Sequence, residues 1–385
     1  MNRTLHLVVP LLLAATYATF HLVSVASAPD ETQWDLDTYY YAAQAYDQGL
    51  SPYKKSSLSK MAGEKVGLRF FYSPVVLPVL RGLTLFSKDT LHVVCLVFKV
   101  VALGLLLLLW MNMGVPRSQR GWFVLFALLA FDSTIFIDVH TGNISLFEQL
   151  LFWTAVALFL KNQVRWFLAI VVLLATVKLT PIVFLALPLA VHGRKQLRGV
   201  VLAALAFLAV EGLAALASPQ LFSDFVSNFS GLGETGMVNP CLYSITREVG
   251  IYLSLPHAFP FLSYEFLALG MGVAWFVTAR TVPKHESNRQ WRTFFFVLTL
   301  ALMLPRLKDY SYILVILPAF WFLVAPRMTW VAGLLLLLVC LPGPHGHWPG
   351  FATLGEYFPQ YLVWFVLVAI WGYVVLHKPR IETTD

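Results

Sequence analysis

Apolar residues recur in blocks along this chain, at 5–25, 90–111, 121–137, 145–160, 166–177, 181–192, 199–217, 261–279, 292–305, 310–325, 328–342 and 359–376. The longest approach the roughly 20 residues that an α-helix needs to cross hydrocarbon. None shows the period of two expected of a lipid-facing barrel strand. A bilayer offers the backbone no water, so segments of this kind must satisfy their own hydrogen bonds as helices. The pattern therefore predicts an all-α, polytopic chain of about 12 spanning segments, built as one domain over residues 1–385. Residues 166–177 and 181–192 are too few for two full crossings and predict two half-length helices meeting at Lys178-Leu179-Thr180-Pro181.

Composition agrees. Hydrophobic residues make up 58% of the chain and charged residues 12%, against about 45–50% and about 25% in soluble domains. No sizeable soluble domain fits those figures. The net charge of +7 needs no nucleic acid as partner, because basic residues at cytoplasmic helix ends, facing acidic membrane lipids, account for it. Cys95, Cys241 and Cys340 have neither zinc-ligand spacing nor a disulfide framework.

Charge also orients the chain. With Arg3 inside, the cytoplasmic loops collect Arg117, Arg120, Lys161, Arg165, Arg194, Lys195, Arg198, Arg280, Lys284, Arg289, Arg292, Arg327, Lys378 and Arg380. Only Glu286, Glu382 and Asp385 oppose them on that side, as the positive-inside rule requires. Both termini are then cytoplasmic. The scheme needs residues 73–86, with two prolines and Arg81, to lie on or dip into the outer leaflet without crossing. A first outer loop then runs over 26–89 and a second over 218–260. Arg3, the first apolar run and Ala26-Ser27-Ala28 resemble a cleavable signal peptide. The run is nevertheless long enough to span, and a retained first helix is the expectation.

The outer side so defined gathers Asp35, Asp37, Tyr40, Arg69, Tyr72, Asp138, His140, Asn143, Lys178, Arg306, Lys308, Asp309 and Tyr310. Carboxylates beside cations at one membrane face suit transfer from a lipid phosphate. A carboxylate takes the proton of an attacking hydroxyl, and cations compensate the departing phosphate. Each group also has a plainer explanation. Short acidic pairs fill solvated loops, and tyrosines and tryptophans such as Trp34 form interfacial belts. Lys178 is either a cation held within the membrane to meet an anion or a lysine snorkelling from a helix end. Arg306 and Lys308 suit headgroup anchoring as well as donor binding, and His140 suits a plain turn. Lys99, Asp132, Glu148, Glu211 and Glu265 lie in or beside spans, where inter-helix pairing explains them as well as function does. Asn143-Ile144-Ser145 and Asn228-Phe229-Ser230 are glycosylation sequons, relevant only in a eukaryotic secretory compartment. No zinc-hydrolase, redox-dithiol or nucleotide-loop motif occurs.

Taken in order, these residues resemble a known family. Asp35-Leu36-x-x-Tyr39-Tyr40-x-Ala42-Ala43, Gly49-x-x-Pro52-Tyr53 and Phe71-Tyr72-x-Pro74 resemble the opening of glycosyltransferase family 87, integral-membrane GT-C enzymes that use polyprenyl-phosphate sugars. Thr141-Gly142-Asn143-Ile144 is similar to that family's Gly-Gln-x-Asn turn, with Asn143 where Gln is usual. Lys178-Leu179-Thr180-Pro181 is similar to its Lys-x-x-Pro hairpin. Late in the chain, Pro305-Arg306-Leu307-Lys308-Asp309-Tyr310 stands where some members carry a Trp-Asp-His-His-like segment.

The resemblance implies a GT-C fold and inverting transfer of a sugar, with mannose expected, from a polyprenyl-phosphate donor to a glycolipid or glycan acceptor. Asp35 would be the general base, with Asp37 the second choice. Tyr40, Arg69, Tyr72, His140, Asn143, Lys178, Arg306, Lys308, Asp309 and Tyr310 would line the substrate sites. No metal or other cofactor is implied. The expected location is a bacterial cytoplasmic membrane with the site facing outward. A lipid or polysaccharide transporter or flippase is the alternative from another class. It would call for internal repeats, and none is visible. An endoplasmic-reticulum mannosyltransferase of glycosylphosphatidylinositol synthesis is the alternative within the class.

Overall fold

The computed structural model describes residues 3–28, 31–229, 234–282, 288–324, 329–341 and 360–377. Lys284, Glu286, Arg327, Lys378, Arg380, Glu382 and Asp385, which carry part of the charge asymmetry, lie outside them, as does Ser230 of the second sequon. Among the described residues all regular structure is helical. In chain order the helices are α1 (Arg3–Ser27), α2 (Trp34–Asp47), α3 (Lys55–Ala62), α4 (Leu77–Leu80), α5 (Lys88–Asn112), α6 (Arg120–Thr141), α7 (Ser145–Leu160) and α8 (Val164–Val177). They continue with α9 (Leu187–His192), α10 (Leu197–Ala217), α11 (Pro219–Phe229), α12 (Leu242–Tyr252), α13 (Phe259–Thr281), α14 (Arg289–Met303), α15 (Ile316–Val324), α16 (Trp330–Cys340) and α17 (Leu362–Leu376).

Among the described residues five stretches are long and apolar enough to cross a bilayer: Val8–Ser27, Lys88–Asn112, Arg117–Thr141, Thr180–Ala217 and Phe259–Thr281. Large apolar side chains stand exposed along them, among them Leu205 and Leu208 on α10 and Phe266 and Leu269 on α13. Continuous apolar surface of this kind needs lipid or another apolar partner. The shorter apolar runs are helical too. Residues 73–86 form linked short turns, Pro74–Val76, α4 and Arg81–Leu85, each too brief to span. Ser73 starts them with its hydroxyl accepting from the Val75 N–H, and the prolines of the segment cannot extend an interior helix.

The chain forms two compact units. The first comprises residues 1–17, 110–137 and 234–385. At its heart is α14, whose phenylalanines are buried against α13, α15 and α17. Trp371 of α17 donates its indole N–H to Thr299 across 2.9 Å. One expectation is corrected here. The run at 121–137 reads as an unbroken helix, yet the backbone leaves helical geometry at Ala130 and holds Phe131, Asp132 and Ser133 at φ of 53°, 59° and 58°. Neither glycine nor proline marks the break. Hydroxyls brace it instead: Ser133 meets the Tyr17 hydroxyl at 2.5 Å, and Thr134 donates to the Asp309 carbonyl at 2.6 Å. Such contacts are invisible to hydrophobic periodicity.

The second unit comprises residues 18–109 and 138–233. Helices α7 and α8 form a hairpin through Asn162, whose positive φ of 63° closes the turn, and α8 packs on α10. Helix α2 lies on α3 and on the turns around α4. Leu36, Tyr39, Tyr53, Phe70, Tyr72 and Leu91 share one buried core there. Asn228 of α11 donates to the Phe70 carbonyl at 2.9 Å, and Tyr53 donates to the Tyr72 carbonyl at 2.9 Å. The first of these bonds ties the segment before α5 to α11, and the second closes that segment on itself.

Candidate functional site

The site begins where α6 ends and α2 starts, both within the second unit. Gly142 stops α6 at a φ of 72°, and its N–H donates back to the Asp138 carbonyl at 3.1 Å, an αL helix stop that glycine accepts without cost. A Cβ here would lie 2.8 Å from the Gln33 Cα, so the position needs glycine for its space as well as its angle. Gln33 precedes α2 and donates its N–H to the His140 carbonyl at 2.6 Å. Asp35 therefore falls in the first turn of α2, where the helix dipole favours a negative charge.

The two aspartates of that turn do not act together. Residues two apart on a helix point about 200° from one another, and their partners differ accordingly. Asp35 accepts from the Asn143 amide at 2.6 Å. Asp37 meets His92 Nε2 at 2.6 Å and the Lys88 ammonium at 3.6 Å, both on α5. Tyr39, one turn beyond Asp35 on the same face, accepts from the second Asn143 N–H at 3.0 Å and meets the Tyr72 hydroxyl at 2.7 Å. Burial pushes the Tyr72 hydroxyl well above the ordinary tyrosine range, against the opposing pull of the Tyr39 bond, so it stays protonated.

The Asn143 amide is fully used. Its nitrogen serves Asp35 and Tyr39, while its oxygen accepts from the Ser145 N–H at 3.1 Å and the Ser145 hydroxyl at 2.9 Å. Turning the amide over would set its carbonyl against a carboxylate and its NH2 against another donor, so its orientation is fixed. The Ser145 hydroxyl in turn accepts from Lys178 at 3.2 Å. The Lys178 ammonium, just past the end of α8, points inward and pairs with Glu148 of α7 at 2.9 Å. Behind this turn Lys99 and Asp138 pair at 2.9 Å with side chains 1% and 0% exposed.

The remaining expected residues of this unit stand further out. Tyr40 is partly exposed, its hydroxyl donating to the Phe86 carbonyl at 3.3 Å. Arg69 is half-buried. The His140 ring lies 3.5 Å from His21 of α1.

Arg306, Lys308, Asp309 and Tyr310 belong to the first unit and form a second cluster. Arg306 and Lys308 alternate on a non-helical stretch and converge on Glu234, at 2.8 Å and 3.1 Å. Asn239 holds the two strands of chain together, donating to the Glu234 carbonyl at 3.2 Å and accepting from the Leu307 N–H at 3.0 Å. Burial opposes the charge on Glu234, but the two cations outweigh it and hold its carboxyl below the ordinary value. Asp309 turns its carboxylate to the Tyr310 N–H at 2.9 Å, and the Lys308 ammonium lies 5.7 Å from the Tyr310 ring.

Sequence reasoning overlooked Ser145, His92 and Glu234. Ser145 and His92 sit at the edges of apolar runs, where a polar residue passes for a helix end. Glu234 has no neighbouring motif, and only contact with residues about 70 positions away reveals it. Among the described residues no group of three or more His, Cys, Asp or Glu side chains could hold a metal ion.

The arrangement can hold a carboxylate aimed by a fixed amide donor, beside a hydrogen-bonded tyrosine pair and an inward ammonium. That equipment suits removal of a proton from a hydroxyl. No curated protein and no solved structure matches the chain. Residues 70–305, well over half of it, match glycosyltransferase family 87. The match includes Tyr72, Asn143 and Lys178 and begins after Asp35, which the structure joins to it through the Asn143 bond. The chain is thus an all-helical member of glycosyltransferase family 87.

Proposed function

We propose that this glycosyltransferase moves mannose from a polyprenyl-phosphate donor to a lipid-linked or glycan acceptor on the outer face of a bacterial cytoplasmic membrane. Asp35 is the general base. It takes the proton of the acceptor hydroxyl while the hydroxyl oxygen attacks the anomeric carbon from the face opposite the phosphate. The bond from that carbon to the phosphate oxygen breaks, the polyprenyl phosphate leaves with the electron pair, and the anomeric configuration inverts. Lys178, in the same unit as Asp35, is the cation available to compensate the leaving phosphate. The lipid carries the activated sugar, so the reaction calls for no nucleotide.

One observation carries this reading. Asp35, in the first turn of α2, is held by an amide donor that lies inside the family match. Asp37 faces α5 and its basic residues instead, which favours Asp35 over Asp37 as base. The test is incubation of the purified protein with radiolabelled polyprenyl-phosphate mannose and a membrane extract, followed by isolation of the product. A labelled product from the wild type that Asp35→Asn does not form supports the reading. Equal product from both would dismiss it, and movement of unmodified lipid in vesicles without transfer would favour a flippase.

A further inference from the structure

A lysine and an aspartate with almost no exposure form an ion pair in the second unit. Lys99 lies on α5 within a membrane-length helix, and Asp138 lies in the last turn of α6. Taking two charges out of water costs several kcal/mol each, and a well-packed apolar pair often serves stability equally well. Stability alone therefore does not explain the pair. Its hydrogen bonds do. The Lys99 ammonium donates to the Asp138 carbonyl at 2.5 Å as well as to the carboxylate. That carbonyl also accepts from the Thr141 hydroxyl at 3.2 Å and from the N–H groups of Gly142 and Asn143 at 3.1 and 3.3 Å. A cation is thus placed on the negative end of α6, where the helix dipole favours it. The other carboxylate oxygen of Asp138 accepts from the Ser145 N–H at 3.0 Å, at the positive end of α7. The pair grips the chain on both sides of Asn143 and touches Ser145, whose N–H and hydroxyl hold the oxygen of that amide.

We propose that Lys99 and Asp138 are positioning residues for sugar transfer: they fix the 141–145 turn so that Asn143 presents its NH2 group to Asp35. The inference rests on Asp35 as the base. A pair serving only to join helices would have no reason to end on the two backbone groups that bracket Asn143. The amide donor favours the charged form of the carboxylate, so slackening it raises the proton affinity of Asp35. The charged and titratable groups in this neighbourhood are Tyr39, Tyr72, Asp138, Glu148, Lys178 and Lys99.

The test compares two double variants of the full chain, assayed with radiolabelled polyprenyl-phosphate mannose across pH. Lys99→Met with Asp138→Leu removes both charges and the Asp138 acceptor for the Ser145 N–H, leaving that group the Asn143 oxygen alone. Lys99→Met with Asp138→Asn removes the charges and keeps an acceptor oxygen. The first should lower kcat about tenfold with donor KM within about twofold, and should move the acidic limb of the pH profile upward by about half a unit. The second should recover kcat to within about threefold of wild type. Equal kcat and an unmoved limb in both, at matched thermal stability, would overturn the proposal. Should the leucine variant not fold, Asn143→Leu decides: an unshifted acidic limb there overturns the proposal, and an upward shift supports it. Failure of the underlying reading is distinguishable, because Asp35→Asn would then retain transfer whatever the pair does.

Discussion

Asp138 of the second unit and Glu234 of the first are both carboxylates that meet lysines, and their surroundings differ sharply. Asp138 and Lys99 have 0% and 1% side-chain exposure, and backbone groups take up the remaining bonds. Glu234 is 31% exposed and is shared between Arg306 and Lys308, themselves 29% and 13% exposed. Water screens the second cluster and hardly reaches the first. Charge in the buried cluster is therefore committed to a single geometry, whereas the half-exposed cluster can exchange its carboxylate for another anion at small cost. The first behaviour suits a scaffold under a base, and the second suits a surface that meets a phosphate.

The sharpest test of this contrast is at Asp35, the proposed base. Asp35→Asn should reduce transfer by about a thousandfold, the range expected when a general base is lost, while thermal unfolding in detergent stays near that of the wild type. Next in size is Lys99→Met alone, which leaves Asp138 buried and unpaired. It should destabilise the protein by about 3–5 kcal/mol, read as a lowered unfolding midpoint in detergent. Lys99→Met combined with Asp138→Leu should regain most of that loss. If the single variant unfolded like wild type, the distinction between a committed and an exchangeable pair would collapse.

Much of the second unit's site was legible in the sequence, for identifiable reasons. Asp35, Tyr72, Asn143 and Lys178 stand in short ordered motifs; Asp35 and Lys178 bond to the 141–145 turn directly, and Tyr72 reaches it through Tyr39. Only the family resemblance ranked Asp35 before Asp37, because which way each side chain faces depends on α2 being helical from Trp34 onward. A loop would have left both side chains free to face either way. Lys99 had a pairing explanation and Asp138 stood among the outer-side groups, but nothing local tells that they pair with each other across 39 positions. The break at Phe131–Asp132–Ser133 was unreadable for a related reason: the hydroxyls that brace it belong to Tyr17 and Thr134, and the acceptor to Asp309. Helical periodicity recovers faces and lengths, and long-range polar contacts lie beyond it.

A smaller effect is expected at Asp37. Its carboxylate anchors α2 to α5 through His92 and Lys88 and faces away from Asn143. Asp37→Asn should therefore lower transfer by no more than about tenfold, measured beside Asp35→Asn under identical conditions. Losses of equal size would show that the two carboxylates work as a pair despite the helix between them.

The smallest effect concerns Glu234, and its sign follows from linkage. Arg306 and Lys308 hold the folded-state pKa of this carboxyl below its ordinary value of 4.5. The unfolded chain therefore binds the proton more tightly than the folded one. Stability from the cluster is fully present above pH 4.5 and is lost as pH falls through the lower folded value. Glu234→Gln should lower the unfolding midpoint slightly at pH 7, by an amount that shrinks in high salt because the cluster is partly solvated. The gap should close as the pH falls through the lower folded-state value, where the wild-type carboxyl also becomes neutral. A gap that persisted at low pH and in high salt would place Glu234 among the committed contacts, and the contrast with Asp138 would fail at its weaker end.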